Sequence, residues 1–365
     1  MSPPFRADHV GSLLRPRALK DAFRTHQQGQ LDDDGLRAAQ DAAIRGAVEL
    51  QEGVGLHSIT DGEFRRDWYY GHFVTAVEGL RPELATFEFR DDHGDKLSFT
   101  GTQNEGRLRR MHPISAAELE FLRAVTTETP KITMPSPSTM HFWRGPQSID
   151  ASVYPTLEEF FADLVDIYRT EIADLAIRGA RYIQMDEVAI AMLCDPDVRA
   201  AVTARGEDPE ALVRTYLDAT NDALGSRPED VTATFHVCRG NYKGHWLARG
   251  GYEPVAEVLF GGLSVDGLFL EFDSERAGDF EPLRFVPDGV DVVLGLVSSK
   301  TPELENPDDL MRRIEDAASF VPIDRLGISP QCGFASTAGG NPLTEDDERR
   351  KLALVVEVAD RVWGR

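Results

Sequence analysis

Eight short apolar runs, each followed by a longer stretch with helical spacing, constrain this chain of 365 residues more than any other feature. In order they are "FRADHVGS", "SITDGE", "KITMPSP", "YIQMDE", "VTATFHVC", "GLFLEF", "DVVLGLV" and "RLGISPQC". A strand-like run trailed by an amphipathic helix, repeated, is the pattern of a parallel sheet built from βα units. Segments such as "LEEFFADLVDIYRTEIADLAIRGA" and "PDDLMRRIEDAASFV" separate the runs, with Pro or Asp near their starts and Gly or Pro near their ends, as helix boundaries require. Eight such units predict an α/β protein of the (β/α)8 TIM barrel type. A doubly wound open sheet is the competing fold, but it would not bring eight strand ends to one point.

Nearly every run ends in a reactive side chain: Ser12, Glu63, Ser136, Asp186, His236 with Cys238, Glu271, Ser298 and Cys332. In a barrel those ends share one mouth, where the active site of the fold lies. Residues 80 to 130 break the rhythm. There "ATFEFRDDHGDKLSFTGTQNEGRLRRMHP" alternates with Gly and Asp in its turn region, so an inserted β-hairpin followed by a helix is expected between the second and third strands. That insertion either covers the mouth or makes an oligomer contact, and the rest of residues 1 to 365 reads as one barrel domain.

Composition narrows the partners. Asp plus Glu number 62 against 39 Lys plus Arg, giving a formal charge of −23 spread along the chain. Nucleic acid and anionic membranes need clustered positive charge, so neither is an expected partner. No apolar run reaches the roughly 18 residues of a membrane helix, and the start "MSPPFRADHV" lacks the regions of a signal peptide. Three cysteines, an odd number in a long chain, suit a reducing compartment, and a cytoplasmic location is expected.

His236 and Cys238 are two apart on a strand and therefore point to the same face. By themselves they read as a core histidine beside a small buried thiol. In a barrel, Glu271 and Cys332 join them from the ends of the sixth and eighth strands. One nitrogen, two sulfurs and one carboxylate oxygen suit Zn²⁺ better than Mg²⁺ or Ca²⁺. Cys194, in "AMLCDPDV", falls outside the pattern and reads as structural.

The ordered set "HVGS", "TDGEF", "QMDE", "HVC", "LEFDSE" and "SPQCGFAST", from residue 9 to residue 337, resembles the catalytic barrel of the cobalamin-independent methionine synthase family. The likeness is to its short, single-barrel methionine synthase II-like members and spans essentially the whole chain. It implies zinc held by His236, Cys238, Glu271 and Cys332, and a thiol substrate, typically homocysteine, bound as thiolate. A free thiol with a pKa of about 8.5 is mostly protonated at neutral pH, and coordination removes that proton. Glu271, the hardest ligand, is the one expected to yield to the thiol.

The resemblance further implies that Glu63 and Asp186 hold the homocysteine amino group and that the loop at Gly11 and Ser12 meets its carboxylate. Trp143 falls where the long enzymes set a tryptophan against the folate ring. One departure stands out. After the seventh strand the long enzymes carry a histidine that protonates the methyl donor, whereas "GLVSSKTPEL" offers Ser298, Ser299 and Lys300. Either Lys300 supplies the proton, or the donor differs from methyltetrahydrofolate. Tyr242, His245 and Trp246 are further candidates for lining the pocket.

Two alternatives remain at this stage. Related zinc enzymes add coenzyme M to an epoxide, and their sulfonate would be met by basic groups such as Arg6, Arg15, Arg65 and Arg239. A barrel whose zinc serves only structure is the other. The sequence sets no oligomeric state, and a homo-oligomer is compatible with it.

Overall fold

The structure is a computed structural model that describes residues 3–91 and 93–364. Among the described residues nine strands are formed: β1 (Ser58–Ile59), β2 (Val77–Arg90), β3 (Lys96–Arg110), β4 (Thr129–Pro135), β5 (Tyr182–Glu187), β6 (Thr232–Val237), β7 (Gly267–Glu271), β8 (Asp291–Val297) and β9 (Leu326–Pro330). Seven of them make one curled sheet in the order β1, β4, β5, β6, β7, β8, β9, every pair parallel. Residues of β5, β7 and β9 are buried along their whole length. That explains their near-continuous apolar reading: a parallel sheet covered by helices has no face left for water.

The helices between these strands begin where their capping residues predict. Thr156 accepts from the Glu159 amide at the start of Leu157–Ile177, and Asn306 caps Pro307–Ala317, with Pro at the first position. The last helix, Glu345–Trp363, opens with a capping box between Thr344 and Asp347. The longer of the first two buries Phe160, Phe161, Leu164, Val165, Tyr168 and Ile172 on one stripe, and its acidic first turn faces its own amide ends.

The first expected strand, "FRADHVGS", is reduced to a single parallel bridge, Ala7 to Ile328 in β9. Backbone bonds Asp8 N to Ile328 O (3.1 Å) and Ile328 N to Arg6 O (2.8 Å) flank it. On the other side this segment meets β1 through side chains: Ser58 Oγ donates to Asp8 Oδ1 at 2.6 Å, and Thr60 Oγ1 to the Gly11 carbonyl at 2.6 Å. Both edge strands of the curled sheet thus bond to one irregular segment. The physical cause is Asp8, whose carboxylate turns inward and replaces ladder bonds with side-chain bonds.

Strands β2 and β3 pair antiparallel from Val77–Arg110 to Arg90–Lys96, with irregularities near Glu78 and Leu84, and the helix Ala116–Val125 follows them. The tip is anchored back on the body, since Arg90 bridges Trp246 and the Arg90 and Arg276 guanidiniums lie over that indole at 4.7 and 5.3 Å. Phe89 and Phe99, on facing strands, are buried beneath the hairpin. Each such ring stabilises the arrangement by roughly 1.5–3 kcal/mol through area removed from water.

Candidate metal and thiol site

The C-terminal ends of β6 and β9 deliver the central group. A ring nitrogen of His236 and the sulfurs of Cys238 and Cys332 all lie within 4.8 Å of one another. The two sulfurs are 3.8 Å apart, far beyond the roughly 2.05 Å of a disulfide bond. His236 is buried, and neither ring nitrogen has a hydrogen-bond partner. A buried imidazole left that way is costly unless another group completes it. Two ligands each about 2.3 Å from a tetrahedral zinc stand about 3.8 Å apart, so the thiol pair already has the separation that zinc requires.

The thiols share their protons unequally. The hydrogen bond from Cys238, with His236 and Lys300 nearby, drives Cys332 well below the usual thiol range, against its burial. Cys238 is pushed well above it by that same bond and by burial. A thiolate is therefore favoured at Cys332 even before a cation is added.

Glu271 stands one step back. Its Oε2 accepts from the Arg239 amide at 2.5 Å, and Oε1 lies 3.4 Å from Lys300 Nζ. Burial would raise this carboxyl, but Lys300 and Arg239 hold it below the usual range. Glu271 is thus outside the compact group of three donors. Lys300 is buried and also faces Asp273 at 3.7 Å; burial would lower its pKa, and the two carboxylates raise it instead.

A cavity of about 440 Å³ opens over the thiols, and Ser12, Glu63, Trp143, Asp186, His236, Cys238 and Cys332 all line it. Gly11, Glu271 and Lys300 lie outside that lining. Gly11 backs Glu63: with φ +141°, an added Cβ would come within 2.7 Å of Thr133 and 3.3 Å of Glu63 Oε1. Gly333, next to Cys332, is packed so closely on Ser12 that a Cβ there would strike its hydroxyl. These two glycines let the N-terminal segment and the β9 loop approach the same point.

Glu63 ends the "TDGEF" turn in a left-handed conformation, φ 61°, with its amide held by Asp61 Oδ1 at 2.8 Å. Such a φ on a non-glycine residue costs on the order of 1 kcal/mol or more and is retained where the surroundings fix it. Its carboxylate accepts from Thr133 Oγ1 at 2.8 Å and lies 3.5 Å from Arg66, which is itself bound by Glu118. Burial raises Glu63, with Arg66 opposing. Burial also lifts Asp186 to about 7, against the pull of His236; Gln184 Nε2 donates to it at 2.7 Å.

Several residues on these walls escape a strand-end reading. Trp68, Tyr69, Tyr70, Phe89 and Phe99 line the cavity with Trp143 and Tyr242. The tyrosines follow the second strand end in "DWYYGHF", an aromatic cluster that was the one available signal. Of the loop candidates Tyr242, His245 and Trp246, only Tyr242 reaches the lining. Ser136 donates to Glu187 and Ser298 to Asp273, so these two strand-end hydroxyls orient carboxylates. Cys194 is buried, and burial raises its thiol to about 11, as befits a structural cysteine.

Comparison with known proteins agrees with the geometry. Residues 5–361 match the family described as the catalytic domain of cobalamin-independent synthase. An uncharacterized Bacillus subtilis protein, YxjH, is 41% identical over 362 residues, covering 99% of this chain and 95% of its own. The methionine synthase of Sulfurisphaera tokodaii is 24% identical over 327 residues, 89% of this chain and 84% of its own. A crystal structure from Listeria monocytogenes, provisionally named a vitamin-B12 independent methionine synthase, superposes with TM-score 0.78 at 33% identity, covering 100% of both chains. The chain therefore belongs to the cobalamin-independent methionine synthase family, whose catalytic domain it matches over residues 5–361.

Proposed function

We propose that the protein transfers a methyl group to the sulfur of homocysteine, or of a close thiol amino acid, giving methionine, with zinc held by His236, Cys238 and Cys332. The observation that carries this reading is the convergence of one nitrogen and two sulfurs within 4.8 Å of one another in the lining of the cavity. Members of this family act on homocysteine with a methyl donor and use zinc. In the same reading the curled sheet closes as an eight-stranded barrel, its eighth position taken by the segment that bridges Ile328, and the β2–β3 hairpin is an insertion into a single barrel domain.

Zinc, when bound, removes the thiol proton at neutral pH and leaves a sulfur nucleophile. The chain's own groups do the rest. Glu271 is the exchangeable fourth donor, and Lys300 with the Arg239 amide gives its carboxylate a place to rest when the thiol enters. Glu63 and Asp186 accept the substrate ammonium, each such charged hydrogen bond contributing about 1.5–3 kcal/mol and excluding thiols without an amine. The Gly11–Ser12 loop meets the carboxylate, and Trp143 forms part of the donor's wall. Lys300, already engaged by Glu271 and Asp273, steadies these carboxylates.

The coenzyme M alternative is disfavoured by charge, because Glu63, Asp67 and Asp186 line the cavity while Arg15 and Arg239 are committed to backbone carbonyls. Titration calorimetry of the zinc-loaded protein with L-homocysteine, coenzyme M and 2-mercaptoethanol, in buffers of different ionisation enthalpy, tests the reading. Proton-releasing binding confined to homocysteine supports it; equal or tighter binding of coenzyme M, or no thiol binding, ends it.

A further inference from the structure

Behind the loops that carry Ser12 and Glu63 lies a second cavity, of about 390 Å³, a size usual for small-ligand sites. Leu13 and Leu14 directly follow Ser12, and Phe64 directly follows Glu63. Each segment therefore gives one side chain to the thiol cavity and the next to this one. One wall is a stripe of the helix Asp33–Val54: Ala39, Ala43, Gly46 and Leu50, at the three- and four-residue spacing of a single face. The stripe is too small to fill the space before it. At Gly46, no heavy atom lies within 4 Å of where a Cβ would stand.

These apolar walls hold two acids. Glu345 and Glu348, three apart at the start of the last helix and so on one face, both line the cavity. Glu345 is exposed at its rim, whereas Glu348 is only 1% exposed. Glu348 Oε1 accepts from the Leu14 amide at 2.8 Å. Among the described residues no donor meets its Oε2 and no cation stands by it; its charged neighbour is Glu345, of the same sign. A buried carboxylate in that setting is costly until a positive charge completes it. A guanidinium would bring five N–H donors to walls that offer two carboxyl groups, whereas a primary ammonium brings three.

We propose that this cavity is a second ligand site, taking a small apolar molecule that carries one primary ammonium. The charge meets Glu348 and Glu345, and the hydrocarbon part lies along Phe64 and the Ala39 to Leu50 stripe. The site is separate from the thiol cavity, and it stands or falls independently of the methyl-transfer reading.

Calorimetric titration of the protein with n-hexylamine, 1-hexanol and hexanoate at neutral pH, three head groups on one chain, tests the proposal. The expected result is one hexylammonium bound per molecule, about ten-fold or more tighter than the alcohol, with hexanoate not bound. Glu348→Gln should remove that preference, and Gly46→Leu, whose side chain enters the cavity, should block hexylammonium, with thermal unfolding showing both variants folded. Glu63→Gln, in the thiol cavity, should leave hexylammonium binding unchanged. Hexanol bound as tightly as hexylammonium would show an apolar space that does not select charge, and overturns the proposal. Loss of binding in Glu63→Gln but not in Glu348→Gln would put the amine in the thiol cavity and overturns it as well. So does the absence of saturable binding, or binding that Gly46→Leu leaves intact.

Discussion

Two buried polar clusters occupy the strands of this sheet, and they differ in completeness. Near the N-terminal ends, Asp8 accepts from the His9 amide (2.7 Å), Ser58 (2.6 Å), Lys131 (3.2 Å) and Tyr182 (2.8 Å). Lys131 also donates to the His9 carbonyl and lies 4.0 Å from the centroid of Phe269. At the C-terminal ends, neither His236 nitrogen has a hydrogen-bond partner, and the two thiols lie 3.8 Å apart. A fully satisfied network holds the fold together, whereas one left open is shaped for something that arrives later. Burial alone does not separate the two, since Lys131 and His236 are both buried.

The sharpest way to break this contrast is to exchange the effects of mutation. Cys332→Ser should abolish zinc retention and methyl transfer, while chelator-treated parent and variant unfold within about 1 kcal/mol of one another in urea. Zinc should raise the unfolding temperature of the parent and not of the variant. Lys131→Met, at the other cluster, should cost about 3–5 kcal/mol, because it leaves the Asp8 charge buried without its cation. Denaturant unfolding measures that cost, and zinc bound per folded molecule should be unchanged.

Lys300 tests the support behind the open cluster. Lys300→Met removes the group that rests against Glu271, and should lower zinc affinity or turnover by about 10–100-fold, as loss of a partner behind a metal ligand generally does. Competition with a chromogenic chelator would measure the affinity. An unchanged value would show Glu271 positioned by Arg239 alone.

Glu348 offers the smallest effect and an intermediate case. It is buried, its Oε1 accepts from the Leu14 amide at 2.8 Å, and burial lifts it to about 8 from 4.5. The folded state therefore keeps a proton that the unfolded chain loses near pH 4.5. Its contribution is present in full below that pH and is lost as pH rises towards about 8. The slope is at most about 1.4 kcal/mol per pH unit. Glu348→Gln should flatten the stability profile over that window and exceed the parent at pH 8. Chemical unfolding at several pH values would show it.

How much of this was legible in the sequence follows from where each group is carried. His236, Cys238, Glu63 and Asp186 belong to strand ends or the turns directly after them, so period and position placed them at one mouth; Cys332 followed from the last run. Glu271 ends the strand that its apolar run predicts, but its pairing with Lys300 and Arg239 depends on three segments at once and has no local signal. The first run reads as a strand and forms only a bridge, because Asp8 answers to Ser58, Lys131 and Tyr182, none of them its sequence neighbours. The hairpin's alternation gives which residues share a face, but nothing in it says that Phe89 and Phe99 turn towards the thiols' cavity. Among the described residues no helix is long and apolar enough to cross a membrane, as the hydropathy of the chain implied.

Zinc K-edge X-ray absorption of the zinc-loaded protein, recorded with and without L-homocysteine, tests the central claim most directly. The account predicts two sulfur neighbours at about 2.3 Å beside nitrogen and oxygen, rising to three sulfurs when the thiol is added, with an oxygen lost as Glu271 withdraws. A sulfur count that does not change with homocysteine, or zinc surrounded by nitrogen and oxygen alone, would contradict it.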